Sequence, residues 1–504
     1  MRFLWSVVGV AAVALALSAA GSAKPPTNTF LNYSLAGTPP NPAGTVCPGS
    51  SLCYNGAAEP AIRATPDGQF YASSENGLGS GTLAWRSSDN GLHYSSLLSP
   101  NDVSAGGTST GKEAGLEPGG GDTDVAVATA KNGTGNYNAY VASLTAASVD
   151  VSTTTDNGAS WTLNPASATP IDDRPWIAAT GASKVCVGYL TAPGVLAPEL
   201  GYHVGCSNDA GTTFTQLANA YDSSAAGQGC SLGSRTGNLA FDPSNGGNMY
   251  AIAACGTVAD ASNPNPTGDH VVVVAVSTDG GKTFTDHVVY SNPDVTVDYE
   301  NNFPNIAVDR AGNIYAVYSD DKAVFYSFST DQGQTWHGPF QVSKTGETAI
   351  YPWTTAGDAG KIDIVYYKTP FLANSTYPNP SSFPSTAAWT VGFAQNLSAT
   401  TSGSSFSEST PTPIIHYGDV CQTGVGCTGS ANRDLFDDFG VAASPTTGLA
   451  SIVYSDDQFV SGDPNSVNSP SCTGSSVSNT SSCDHTAIAT QTGGSAIFTV
   501  KKHP

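Results

Sequence analysis

The chain of 504 residues sets 18 Lys and Arg against 40 Asp and Glu, a formal net charge of -22, and only 12% of its residues are charged. An acidic surface of this kind excludes nucleic acid and anionic membrane as natural partners, and it favours solubility in an extracellular setting. The length permits a large buried core or several domains.

Residues 1–23 read as a secretory signal. Arg2 supplies the positive start, Phe3 to Leu17 is apolar, and Gly21-Ser22-Ala23 offers small residues for cleavage. The alternative is a membrane anchor, for which the apolar run is short. No later stretch is long enough to cross a bilayer, so the expectation is an exported, soluble protein without membrane insertion. Residues 24–55 are rich in Pro, Gly, Asn and Ser and read as an extended lead-in. The chain has 10 Cys, an even count that in an exported protein argues for disulfides rather than metal or thiol chemistry. Their spacing favours near neighbours: Cys47 with Cys53, Cys186 with Cys206, Cys230 with Cys255, Cys421 with Cys427, and Cys472 with Cys483.

From residue 56 to residue 504 the chain repeats itself. One repeated text is an apolar strand, first seen as Glu59-Pro60-Ala61-Ile62, followed by a Gly turn and a second strand. It returns at Asp124-Val125-Ala126, Pro175-Trp176-Ile177, Gly237-Asn238-Leu239, Pro304-Asn305-Ile306, Pro352-Trp353-Thr354 and Phe439-Gly440-Val441. A second text has the form Ser/Thr-x-Asp-x-Gly-x-x-aromatic. It stands at Ser87–Tyr94, Thr154–Trp161, Ser207–Phe214, Ser277–Phe284 and Ser329–Trp336. An eroded copy at Ala399–Phe406 keeps Gly403 and Phe406 but has Thr401 where Asp is expected. Its physics is that of a hairpin turn: Ser/Thr and Asp side chains bond nearby backbone groups, and Gly takes a positive φ without steric cost. The two texts alternate, so the unit is strand, turn, strand, loop, strand, turn, strand. The seventh unit continues through His485–Thr490 and Ala496–Val500, read as its third and fourth strands. Four strands per unit in a closed series describe a β-propeller.

The Asp-bearing turn resembles the Asp-box, or BNR repeat, of the sialidase-like β-propellers. The resemblance covers roughly residues 55 to 500. It implies an all-β fold with the boxes joining third to fourth strands on the face away from an active site. The expected architecture is a single propeller of seven four-stranded blades; six blades with one decorating repeat is the alternative, since the sialidases themselves have six.

Function must come from the loops at the other end. These are unusually charged. Those leading into innermost strands hold Glu113, Glu117, Asp122 and Asp124; Asp172, Asp173 and Arg174; Arg235; Asp298, Tyr299 and Glu300; and Arg433, Asp434, Asp437 and Asp438. Three of the six Arg that follow the signal are among them. The resemblance implies a sialidase type of exo-glycosidase, with Arg174, Arg235 and Arg433 gripping a substrate carboxylate, Tyr299 as nucleophile, Glu300 activating it and Asp173 as acid/base. The family's early Phe/Tyr-Arg-Ile-Pro motif is absent, so no role is carried over by motif. A glycosidase acting through two carboxylates, and a carbohydrate- or protein-binding propeller whose Arg and Asp merely stitch blades together, stand as alternatives. Trp176 and Trp353 are placed near the channel mouth as platforms for a sugar ring. No cofactor is expected; the pairs Asp172-Asp173, Asp320-Asp321 and Asp456-Asp457 offer hard oxygens suited to structural Ca²⁺. The expected partner is an extracellular glycan or glycoprotein, met by a monomer.

Overall fold

A computed structural model describes residues 27–35, 58–76, 81–101, 119–145, 148–164, 172–191, 201–222, 231–256, 268–423, 427, 432–458 and 484–500. Seven antiparallel sheets follow one another around a ring, each of four strands ordered from the axis outward. This is a seven-bladed β-propeller. The innermost strands are Ala58–Ala64, Thr123–Val127, Asp172–Thr180, Ser231–Phe241, Asn305–Val308, Thr348–Ala356 and Gly440–Ala443, which we number as blades 1 to 7. The sixth sheet gains a short extra strand, His416–Tyr417, paired with Ala388–Asn396. The only helical elements among the described residues are two short 3-10 turns.

The Asp-bearing turn does what its sequence demands. Ser329 Oγ donates to Asp331 Oδ1 at 2.8 Å and accepts from Gly333 N at 2.9 Å, while Asp331 Oδ1 accepts from Thr335 N at 2.9 Å. Gln332 and Gly333 have φ of 63° and 83°. The same bonds recur at Ser87, Thr154, Ser207 and Ser277. Each such turn joins the third strand of a blade to the fourth, so all leave the ring at one end.

Neighbouring blades are tied near the axis by side chains that stand in for backbone carbonyls. Asp124 Oδ2 accepts from Ile177 N at 3.0 Å, Asn238 Oδ1 from Ile306 N at 2.7 Å, and Asn305 Oδ1 from Thr354 N at 2.8 Å. At these three seams the innermost strand of one blade is thereby hydrogen-bonded to that of the next. Ile177 and Ile306 of these innermost strands, and Ile252 and Ile364 of second strands, pack in apolar layers and are essentially inaccessible to water.

Two features depart from the sequence reading. The fourth strand of blade 7 is not Ala496–Val500, which contains no strand. Thr29–Ser34, placed above in the extended lead-in, fills that position by pairing antiparallel with His485–Gly493. The reason is that an open blade would expose a row of backbone donors and acceptors, and the early strand covers it. The segment after Gly493 instead turns under the ring: Ile497 is buried, and the Phe498 ring lies 4.3 Å from the Arg310 guanidinium. With the ends of the innermost strands, Phe498 lines a cavity of about 270 Å³ at that end of the channel.

The disulfide Cys186–Cys206 joins the second and third strands of blade 3, whose register sets the two residues opposite each other. Cys421–Cys427 also forms. Cys255 is in a disulfide as well. The expected signal and the residues Cys47, Cys53, Cys472 and Cys483 lie outside the described residues, as does Cys230. No helix among the described residues is long and apolar enough to cross a membrane.

Candidate functional site

Four innermost strands share a local irregularity just before their Pro. Glu59, Arg174, Phe303 and Tyr351 each precede a proline and have φ of 49°, 52°, 43° and 51°. Left-handed backbone is costly for residues with a Cβ, and more so before Pro. In blades 1, 3 and 6 the strand register slips at the same point, as in a β-bulge. The slip breaks the alternation of the strand and lets these side chains turn toward the axis. All four are almost fully buried.

What they meet at the axis is a compact ion network. The Arg174 Nε lies 3.1 Å from Asp122 Oδ2, and its Nη2 lies 2.6 Å from Asp437 Oδ2. Nη1 and Nη2 each reach a Glu59 oxygen at 3.4 Å. The guanidinium stacks over the Phe303 ring at 4.1 Å. Arg433 Nη2 donates to the same Asp437 oxygen at 2.7 Å and approaches Glu59 at 3.4 Å. Blades 1, 2, 3 and 5 and the segment leading into blade 7 therefore converge on one guanidinium.

Carboxyls outnumber cations here: among the described residues, Glu59, Glu75, Asp122, Asp437 and Asp438 face Arg174 and Arg433. Burial pushes Glu59 well above the ordinary carboxylate range even though Arg174 opposes it. Burial and the neighbouring Asp122 push Glu75 up to about 7, while a hydrogen bond with Glu59 holds it back. Burial likewise raises Asp438 to about 8, against the pull of Arg174. Glu59, Glu75 and Asp122 place carboxyl oxygens within 4.8 Å of one another. Of these three, Glu75 and Asp122 are partly open to solvent and Glu59 is closed. The chemistry this permits is proton exchange between a carboxyl held protonated near neutrality and a carboxylate fixed by a guanidinium.

The residues singled out from sequence are divided by the fold. Arg174 and Arg433 meet at the axis. Arg235 lies on the innermost strand of blade 4, with its side chain outside what is described. Asp173 is exposed and accepts from the Arg174 backbone N–H at 2.9 Å. Tyr299 stands elsewhere: its ring packs 5.1 Å from Tyr318, in the core between blades 4 and 5, and its hydroxyl accepts from Asn292 at 2.8 Å. Burial raises that phenol above its ordinary range. Glu300 begins a 3-10 turn and clusters with Asp269 and Asp298. Asp269 is pushed up to about 9 by burial and by its hydrogen bond to Glu300. Trp176 and Trp353 are not mouth platforms; they are buried against each other inside the channel at 5.5 Å, and Trp176 Nε1 donates to the Thr236 carbonyl. Glu59 and Glu75 were missed as site residues. A visible signal existed for Glu59, namely a charged residue at the X-Pro position where blade 3 has Arg174.

No protein-family model and no curated relative matches the sequence. Solved structures match in fold only. An α-L-arabinofuranosidase from Fusarium graminearum shares 15% identity over 72% of this chain and 97% of its own, with a TM-score of 0.44. A lectin from Aleuria aurantia in complex with a fucosylated disaccharide shares 9% identity over 70% and 94%, with a TM-score of 0.39. A protein of unknown function from Dyadobacter fermentans shares 10% identity over 91% and 97%, with a TM-score of 0.42. Likeness at this level extends to the propeller and carries no argument about chemistry.

Proposed function

We propose that this chain is an exported, glycan-directed propeller of the glycoside-hydrolase type, working through Glu75 and Asp122 at the channel mouth. The observation behind this reading is that the two carboxyls lie within 4.8 Å and are held in unlike environments. Glu75, at about 7, is suited to protonate a leaving glycosidic oxygen. Asp122, fixed by Arg174 Nε, is suited to meet the developing positive charge on the sugar. This separation is below the roughly 5–5.5 Å of retaining enzymes and well short of the roughly 6.5–9.5 Å that inverting enzymes need for a water, so the retaining geometry is the nearer of the two.

A neutral sugar fits better than a sialoside. The Arg174 donors are already taken by Asp122, Glu59 and Asp437, and the surplus of carboxyls repels an anionic substrate. A sialidase form of the proposal would also require a nucleophile other than Tyr299. The binding-propeller reading keeps one specific support: the ion network is nearly closed to water and joins several blades, as a structural tie would.

The test is hydrolysis of a panel of fluorogenic glycosides, a sialoside included, beside binding to a glycan array. Glu75→Gln is expected to lower turnover by about 10²–10⁴-fold with folding intact. Array binding without hydrolysis of any glycoside would favour the binding propeller. Sialoside cleavage lost in Arg174→Ala would restore the sialidase form.

A further inference from the structure

A second buried acidic group lies at the seam of blades 6 and 7, outside the ion pairs of the two Arg of the channel mouth. Asp434 comes from the segment leading into blade 7. Asp457 directly follows the strand Ala450–Asp456, and Asp484 directly precedes His485–Gly493; the two strands are paired Asp456 to His485. His416, on the extra strand of blade 6, faces them. Ligand atoms of His416, Asp434 and Asp457 lie within 4.8 Å of one another. We propose that Asp434, Asp457 and Asp484 hold one Ca²⁺, with His416 orienting Asp457 from behind.

Buried acceptors provide a second, independent observation. Asp434 is 7% exposed and Asp484 is 3% exposed, and Asp434 Oδ2 and Asp484 Oδ1 are sealed from water with no hydrogen-bond partner. A buried carboxylate oxygen without a donor costs free energy that a cation recovers. Among the described residues no Lys or Arg forms an ion pair with Asp434, Asp457 or Asp484, in contrast to the mouth cluster.

The donor set selects the kind of cation. His416 Nδ1 lies 2.7 Å from Asp457 Oδ2, and Nε2 lies 3.0 Å from the Asp419 carbonyl oxygen. Both ring nitrogens face oxygen acceptors, so the imidazole presents no lone pair to a metal. Only oxygens remain, which suits a hard cation and not zinc or copper. Asp457 keeps lone pairs for a ligand although its Oδ2 meets His416 and its Oδ1 accepts from Gln458 Nε2. A bound cation would tie the segment leading into blade 7 to the second and third strands of that blade. It would also fix the segment that carries Arg433 and Asp437 to the axis, since Asp434 lies between them in the chain.

The experiment is calorimetric titration of the full-length, EDTA-treated protein with CaCl₂, followed by thermal melts with CaCl₂ and with EDTA. We expect one Ca²⁺ per chain and a melting temperature raised by about 3 °C or more when CaCl₂ far exceeds its Kd. Asp484→Asn and Asp434→Asn each keep the shape of the side chain and should weaken binding by at least about tenfold. Asp298→Asn, in the acidic cluster of the blade 4–5 seam, should leave the titration unchanged. The proposal is overturned if no Ca²⁺ binds, if both Asn variants of the site bind as tightly as the parent, or if Asp298→Asn abolishes binding. If one Asn variant does not fold, the other decides.

Discussion

Replacing Arg174 by Met keeps most of the side-chain volume and removes the one cation shared by Glu59, Asp122 and Asp437. Glu59 and Asp437 are 1% exposed, so water cannot take the place of the guanidinium. Breaking a buried ion pair by deleting one partner typically costs about 3–5 kcal/mol. Part of that cost is avoidable if the stranded carboxyls take up protons. Loss of Arg174 raises the folded-state pKa of Glu59 further above its unfolded value. A carboxyl raised in this way contributes its full stability below about pH 4 and loses it as pH rises. The destabilisation should therefore be smaller at pH 5 than at pH 8. Denaturant melts of Arg174→Met at both values measure this directly. Adding Glu59→Gln to Arg174→Met should recover about 1–3 kcal/mol at pH 8, because it removes one of the stranded charges. A loss under about 1 kcal/mol, the same at both pH values and untouched by Glu59→Gln, would mean the network does not carry the mouth.

Two further outcomes follow from other parts of the ring. Hydrogen bonds hold Asp331 and Asp209 in the Asp-bearing turns down to about 2, a contribution present above about pH 4 and lost below it. Burial lifts Asp363 and Asp438 to about 8 and Glu75 to about 7, a contribution lost as pH climbs from about 4 to those values. Melting temperatures across pH 3–9 should peak on the acid side of neutrality, and a steady rise from pH 5 to pH 8 would contradict the assignment. Gly237 is a site of close backbone approach: an added Cβ would stand 1.9 Å from the Pro304 carbonyl oxygen. Gly237→Ala should force blades 4 and 5 apart and lower the melting temperature sharply; a variant that melts with the parent would refute that packing.

The repeated turn was readable because everything it needs lies within eight residues, and local hydrogen bonds enforce the local shape. Cys186 and Cys206 were readable for the same reason, since a hairpin sets them side by side. The pairing of Thr29–Ser34 with His485–Gly493 was not, because no local rule connects strands so far apart. The site was half legible. Charged residues before the innermost strands pointed to the right end of the ring, and Arg174 and Arg433 do meet there. Their partner Glu59 was hidden inside a strand pattern, since its inward turn depends on left-handed backbone that alternation does not foresee. Tyr299 and Glu300 were read by proximity in sequence to a strand. They instead sit at a 3-10 turn, where the phenol falls into the core. Trp176 and Trp353 follow the same Pro that re-aims Arg174 and Tyr351, and the re-aimed strand carries the indoles into the channel rather than to its rim.

Closure of blade 7 also governs how the molecule can be made. Thr29 and Thr492, bonded through their hydroxyls, are 463 positions apart in the chain. During synthesis Thr29–Ser34 emerges first and has nothing to pair with until the last strand has left the ribosome. Six blades can assemble in order from neighbouring segments, but the ring stays open like a clasp until the end. Equilibrium hardly opposes so long a loop, because each doubling of its length adds only about 0.6 kcal/mol. Kinetics does, since contacts this remote form slowly. The interval before the clasp shuts leaves one strand without its sheet and one sheet with a bare edge, and that interval is when two growing chains could exchange their first strands.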